Sequence, residues 1–237
     1  MPLRQRPEIQ ALLRTLSTIR DYTYSTITNQ PTSEHIAMAV QQFKPRQLIS
    51  EQEYLDGELR SDIKHEYIAG EVYAMTGASA NHSRIVTAMA SLLANHLANT
   101  PCEVFSTDMK VKAGQNFFYP DIIVDCQNLA GNAYFTDAPL IIVEVLSKTT
   151  RKIDHTLKRL SYRNMPSLQE CVLIEQDFVD VEVCRRGNHW QSEHYFLGDE
   201  IYLSAIDLRL RVESLYERVD NEEMRAFFNI QANGQNV

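Results

Sequence analysis

The stretch PLIIVEVLSK, residues 139–148, limits the fold more than any other part of the chain. Six of the seven residues from Leu140 to Leu146 are strongly apolar, with no alternation of polar positions. Such a run belongs to a strand covered on both faces, in a sheet sandwiched between other layers. The seventh residue is Glu144, whose carboxylate costs several kcal/mol to bury unless something compensates it. Two readings are open at this point: a core carboxylate held by a buried base, or a charge placed to meet a ligand.

A chain of 237 residues is long enough to bury a full core as one domain. No run approaches the ~18 consecutive apolar residues of a membrane span, and the first residues lack the apolar segment of a secretory leader. A soluble, cytoplasmic protein with no membrane partner is the expectation. The four cysteines, Cys102, Cys126, Cys171 and Cys184, form no C-x-x-C pair, and the favoured reading is four buried free thiols in a reducing compartment. A net charge of −8 argues against a general polyanion binder. The charge is uneven, however. Between Ser147 and Arg163 six basic residues face one acid, whereas between Glu193 and Glu223 nine acids face three arginines. The basic segment is either a solvated helix face or a phosphate-contacting patch.

Residues 1–44 combine a short amphipathic piece with the aperiodic TYSTITNQPTSE and read as a mobile or weakly ordered extension, with Met38 as an alternative start. The ordered domain is expected over 45–218, and residues 219–237 read as a tail. Ser50 with Glu53 is a capping-box pattern that starts a short helix. HEYIAGEVYAMTG reads as a β-hairpin turning at Ala69-Gly70. Ile85, Met89, Leu92, Leu93 and Leu97 recur at helical spacing between Asn81 and Asn99. Strands are then expected over Glu103–Ala113, Phe117–Cys126 and Leu140–Ser147. A helix over about 150–164 would bury Ile153, Leu157, Leu160 and Asn164, ending before Pro166. Strands Cys171–Gln176 and Val179–Arg185 follow, with a further hairpin around Trp190.

The chemistry concentrates in two strands. FFYPDIIVDC carries Asp121 behind a proline, and LIIVEVLSK carries Glu144. If the strands are neighbours, the carboxylates meet on one side of the sheet and can seat a hard divalent cation, Mg²⁺ or Mn²⁺. Asp125 reads as a capping group at the far end of its strand. Asp108 and Lys110 alternate with apolar residues in STDMKV, and Lys110, Arg151 and Lys152 are candidate phosphate contacts. No phosphate-loop, dinucleotide or serine-hydrolase motif is present, and the histidines lack zinc-ligand spacing.

The order helix, strand, strand with Pro-Asp, strand with Glu, basic helix, strand resembles the PD-(D/E)XK nuclease core. That motif places a lysine two residues beyond its Glu, whereas Leu146 stands there in this chain. The segments KHEYIAGEVYAMTGASANHS, STDMKV, YPDIIV, VEVLSKTT and LKRLSYRNMPSLQE together resemble the Uma2-type restriction endonuclease family of that superfamily, over roughly residues 45–218. The resemblance implies an α/β (α+β) domain with a restriction-endonuclease-like core: a mixed central sheet flanked by helices, with an extra N-terminal hairpin and C-terminal strands. It also implies that the catalytic lysine has moved to the following helix, where Lys158 matches. By spacing alone, Lys158 could equally be a surface residue paired with Asp154. His82, near the start of its helix, is either structural or close to a metal-bound water. Glu66 is either a hairpin surface acid or a contributor to the same cluster.

The implied function is Mg²⁺-dependent hydrolysis of DNA, with Asp121 and Glu144 as metal ligands and Lys158 as the third catalytic residue. RNA as substrate stays open, as does a nuclease fold retained as an inactive binding or regulatory module. A homodimer would supply two sites for double-strand cleavage.

Overall fold

The computed structural model describes residues 48–147 and 154–234. The N-terminal extension, Arg151, Lys152 and Ile153 lie outside the described residues. The first described helix, α1 (Glu51–Glu58), starts at the Ser50 cap, where Ser50 Oγ accepts from the Glu53 N–H at 3.2 Å and Glu53 Oε2 accepts from the Ser50 N–H at 2.7 Å. Strands β1 (His65–Ile68) and β2 (Glu71–Ala74) form the expected hairpin, with Ala69 and Gly70 both at positive φ in the two-residue turn. Helix α2 (Ala80–Leu97) buries Ile85, Val86, Met89, Leu93 and Leu97.

Two of the three strands expected next are interrupted. The first divides into β3 (Glu103–Ser106) and β4 (Lys110–Ala113), the second into β5 (Asn116–Phe118) and β6 (Ile122–Asp125). The halves join different sheets. One sheet has the order β2-β1-β5-β4-β7, where β7 is Phe135–Thr136. The other has the order β11-β10-β9-β8-β6-β3, comprising β8 (Ile141–Leu146), β9 (Glu170–Glu175), β10 (Val181–Arg185) and β11 (Ser192–Tyr195). The physical causes lie at the bends. Thr107 has a φ of 65°, which ends an extended run, and Pro120 has no N–H for a ladder. The Thr107 N–H donates to the Asp121 carbonyl at 3.0 Å, so the two bends are tied together. Asp121 sits at this fold-over.

In the six-stranded sheet β8 and β9 are parallel and the other pairs antiparallel, a mixed sheet. Ile141, Val143 and Val145 face a core formed with α2, the hairpin β12 (Glu200–Leu203) and β13 (Leu208–Arg211), and helix α4 (Val212–Tyr216). Ile142 and Leu146 face the opposite way, toward Phe118 of the first sheet and Tyr162 of helix α3 (Arg159–Arg163). Alternation therefore turns Glu144 to that second side. The first sheet has its own aromatic cluster, Tyr54, Tyr67 and Phe117.

Helix α3 corrects a second expectation. It continues from a π-helical turn at Asp154–Lys158, and its Leu157 and Leu160 are 38% and 61% exposed. Asn164 is exposed as well. Lys158 and Tyr162 are buried in their place, because the surface the helix covers presents the Glu144 carboxylate rather than hydrocarbon. The segment expected as a C-terminal tail contains helix α5 (Glu222–Gly234), and Val219 and Met224 join the core around α2. Among the described residues no helix is long and apolar enough to cross a membrane.

The thiol expectation is half corrected. Cys171 and Cys184 are free and buried, with burial pushing the Cys184 thiol up to about 11, but Cys102 and Cys126 form a disulfide. The register explains the bond: Glu103 pairs with Asp125, so the next residues outward face each other across the antiparallel ends of β3 and β6. The cysteines are 24 residues apart in sequence, which in the chain-entropy model stabilises the fold by about 3 kcal/mol. Cys102→Ser should therefore lower the free energy of urea unfolding by about 2–3 kcal/mol under non-reducing conditions, and reductant should remove most of the difference. An unchanged unfolding curve would count against the bond's contribution.

Candidate functional site

The β6–β8 ladder pairs Ile122 with Val143 and Ile123 with Ile142. Extending that register by one residue sets Asp121 opposite Glu144, across the distance at which cross-strand side chains touch. Asp121 is anchored by the strand it faces: its Oδ2 accepts the Val145 N–H at 2.7 Å. The same oxygen lies 3.3 Å from His82 Nε2, presented from the first turn of α2. Both neighbours meet Oδ2, so Oδ1 has no hydrogen bond from the described residues.

Glu144 is 3% exposed. Its Oε1 accepts from the Tyr162 hydroxyl at 2.8 Å and lies 3.4 Å from Lys158 Nζ. The Lys158 ammonium, 6% exposed, also reaches Glu66 Oε1 at 2.8 Å. Glu66 comes from β1 of the other sheet and accepts the Tyr119 N–H at 3.2 Å. One lysine thus bridges carboxylates from both sheets. Burial, followed by the adjacent Glu144 charge, pushes the Tyr162 hydroxyl well above its ordinary range, so it stays a donor throughout the physiological range.

These groups open onto a cleft of about 910 Å³, whose lining includes His82, Asp121, Glu144, Lys158, Tyr119 and Gln176. Of the residues singled out from sequence, Asp121, Glu144, Lys158, Glu66 and His82 are brought together. Lys110 is not. It lies in the first sheet, buried, with Nζ 3.3 Å from the Tyr119 hydroxyl and over the rings of Tyr119 and Tyr134, and desolvation lowers its pKa. It is not among the residues lining the cleft. Asp108 is exposed and pairs with Lys64. Asp125 caps, as expected: it is fully buried and accepts from the Gln127 N–H and the Thr136 hydroxyl.

Sequence reasoning passed over Tyr162, Tyr119 and Gln176. Tyr162 carried a signal, since it lies one helical turn beyond Lys158. Tyr119 and Gln176 carried none that local spacing could reveal. Among the described residues no group of three or more His, Cys, Asp or Glu side chains forms a ready-made metal cage.

Residues 51–213 match the model of the family described as "Uma2: Putative restriction endonuclease". The chain is 34% identical over 173 residues to the uncharacterized protein slr1290 of Synechocystis sp., covering 71% of this chain and 91% of that protein. It is 33% identical over 165 residues to the uncharacterized protein sll1609 of the same organism, covering 66% and 85%. Among solved structures, it matches the crystal structure of "a putative nuclease belonging to DUF820" from Anabaena variabilis with a TM-score of 0.59 at 21% identity, covering 71% of this chain and 98% of that one. At that identity the likeness establishes the fold.

Lys158 neutralises two buried carboxylates, so removing its charge leaves them repelling each other. Lys158→Met should destabilise the protein by about 3 kcal/mol at pH 8. Adding Glu66→Gln and Glu144→Gln should recover part of the deficit, because they remove the uncompensated charge. Urea unfolding of the single and triple variants measures this. A deficit unchanged by the added substitutions would mean that the loss is one of packing rather than of charge.

Proposed function

The chain belongs to the Uma2 family, and from that membership and the grouping in the cleft we propose that it is a divalent-metal-dependent nuclease hydrolysing DNA phosphodiester bonds. The observation that carries this reading is the position of Lys158, whose Nζ reaches Glu144 and Glu66 beside an Asp121 fixed on the Val145 N–H. It supports the transfer of the lysine's role from strand to helix, despite Leu146 in the strand position.

The donor set suits Mg²⁺ or Mn²⁺. Such ions need only one or two carboxylates and complete their shell with water and substrate oxygens, so the lack of a three-residue cage among the described residues is no obstacle. Asp121 and Glu144 would hold the ion, with Asp121 Oδ1 carrying no competing hydrogen bond from the described residues. When bound, the cation supplies a more acidic water and offsets negative charge on the phosphate. Lys158 brings a fixed positive charge to the place where charge develops during attack, and the buried setting strengthens its effect. Tyr162 holds Glu144 by Oε1. His82, whose Nε2 lies beside Asp121, would help to orient a water in the cleft.

The dense pairing of Lys158 supports a second reading as well, a nuclease fold kept as a binding or regulatory module in which the lysine is purely structural. One experiment separates the two. The full chain, incubated with supercoiled plasmid and with RNA, should cleave DNA in Mg²⁺ or Mn²⁺ and stop on chelation. Asp121→Asn and Glu144→Gln should each reduce the rate by about a thousandfold while keeping the wild-type circular dichroism spectrum. Cleavage of RNA alone would reassign the substrate. No cleavage of either nucleic acid by the folded wild-type protein would favour the binding module.

A further inference from the structure

The cleft contains a polar group that the proposed chemistry does not use. Gln176 lies one residue beyond β9, beside the end of the strand that carries Glu144, and its N–H donates to the Leu146 carbonyl at 3.4 Å. The residue is 9% exposed and lines the cleft. Gln176 Oε1 accepts from the Ser79 hydroxyl at 2.6 Å. Its Nε2 makes no hydrogen bond to the described residues.

The direction of that bond fixes the amide. Ser79 is the N-cap of α2, and its Oγ already accepts the His82 N–H at 3.1 Å. At 2.6 Å the contact has the length of an O–H···O bond rather than an N–H···O bond, so the hydroxyl donates to Oε1 and the Nε2 donor is left for the cleft. The same cap places the start of an 18-residue helix there. Ala78, Ser79, His82 and Ser83 line the cleft at that end. The Ser83 N–H is taken by the Ser79 carbonyl, while the N–H groups of Ala80 and Asn81 precede the first intrahelical bonds. A helix N-terminus favours an anion, and here the Gln176 amide donor opens beside it.

Charge elsewhere in the cleft adds to the case. Among the described residues the cleft's two lysines, Lys64 and Lys158, each sit on carboxylates. A neutral donor beside them would add to the binding of an anionic substrate. We infer that Gln176 and the N-terminus of α2 form a phosphate-binding subsite, which holds a phosphodiester of the substrate strand next to Asp121 and His82. This inference rests on the nuclease reading for the identity of the substrate, but not for the existence of the subsite.

The test uses the full chain, a short fluorescein-labelled oligodeoxynucleotide and its uncharged methylphosphonate counterpart, with binding read by anisotropy in the absence of divalent cation and cleavage read in Mg²⁺. Gln176→Leu should weaken binding of the phosphodiester about tenfold and Gln176→Glu by more, with kcat little changed, since the contact is a hydrogen bond to a charged group made equally in ground and transition states. Because the lost donor is neutral, the salt dependence for Gln176→Leu should keep the wild-type slope. The methylphosphonate should bind wild type and Gln176→Leu alike. If Gln176→Leu fails to fold, the near-isosteric Gln176→Glu decides alone. Wild-type affinity in the folded variants overturns the subsite even if Asp121→Asn abolishes cleavage. Gln176-dependent binding without cleavage keeps the subsite and removes the nuclease reading. No binding by wild type overturns the subsite.

Discussion

A single buried ammonium organises this protein. Lys158 stands between Glu144 of one sheet and Glu66 of the other, with Tyr162 adding a hydrogen bond to Glu144. An isolated carboxylate in the middle of an apolar strand would be untenable, and so would two of them. The lysine makes both tolerable and draws the two sheets and α3 onto one point. The orientation of α3 follows. It exposes Leu157 and Leu160 because turning its leucines inward would carry Lys158 away from the carboxylates.

The folded-over hairpin is the second element. β3 and β6 pair in one sheet, and β4 and β5 pair in the other. The fold-over at Thr107 and Pro120 places Asp121 at the rim of the cleft rather than inside a ladder. At that position its carboxylate can accept the Val145 N–H beyond the end of the β6–β8 pairing. Tyr119, just before the proline, binds Glu66 through its N–H and Glu58 through its hydroxyl, linking the bend to α1. Asp121 and its cleft-lining neighbours thus lie where regular pairing stops, supported on two sheets.

Much of the fold was legible in local chemistry. The Ser50 capping box, the Ala69-Gly70 turn and the apolar stripe of α2 each depend on interactions within a few residues, which a sequence records directly. The failures share a cause. The strands expected over Glu103–Ala113 and Phe117–Cys126 have a strand-like composition, and although Pro120 marks a break in the second, nothing local says that the halves join different sheets. The leucine stripe of α3 is a sound periodic signal, overridden because a carboxylate waits on the surface it would have covered. The Cys102–Cys126 bond follows from strand register, which spacing alone does not give.

The sequence by itself determined which residues could carry chemistry: an acid behind a proline, an acid within a doubly buried strand, and a lysine on the next helix. Charge in an apolar context is costly, and that cost is visible wherever the neighbours are known. Only the tertiary structure decided which of these meet. It brought Glu66 across from the other sheet, enclosed Lys110 between tyrosine rings and aimed Gln176 into the cleft. Such encounters join residues tens of positions apart through sheet register and chain reversal, and no local pattern encodes them.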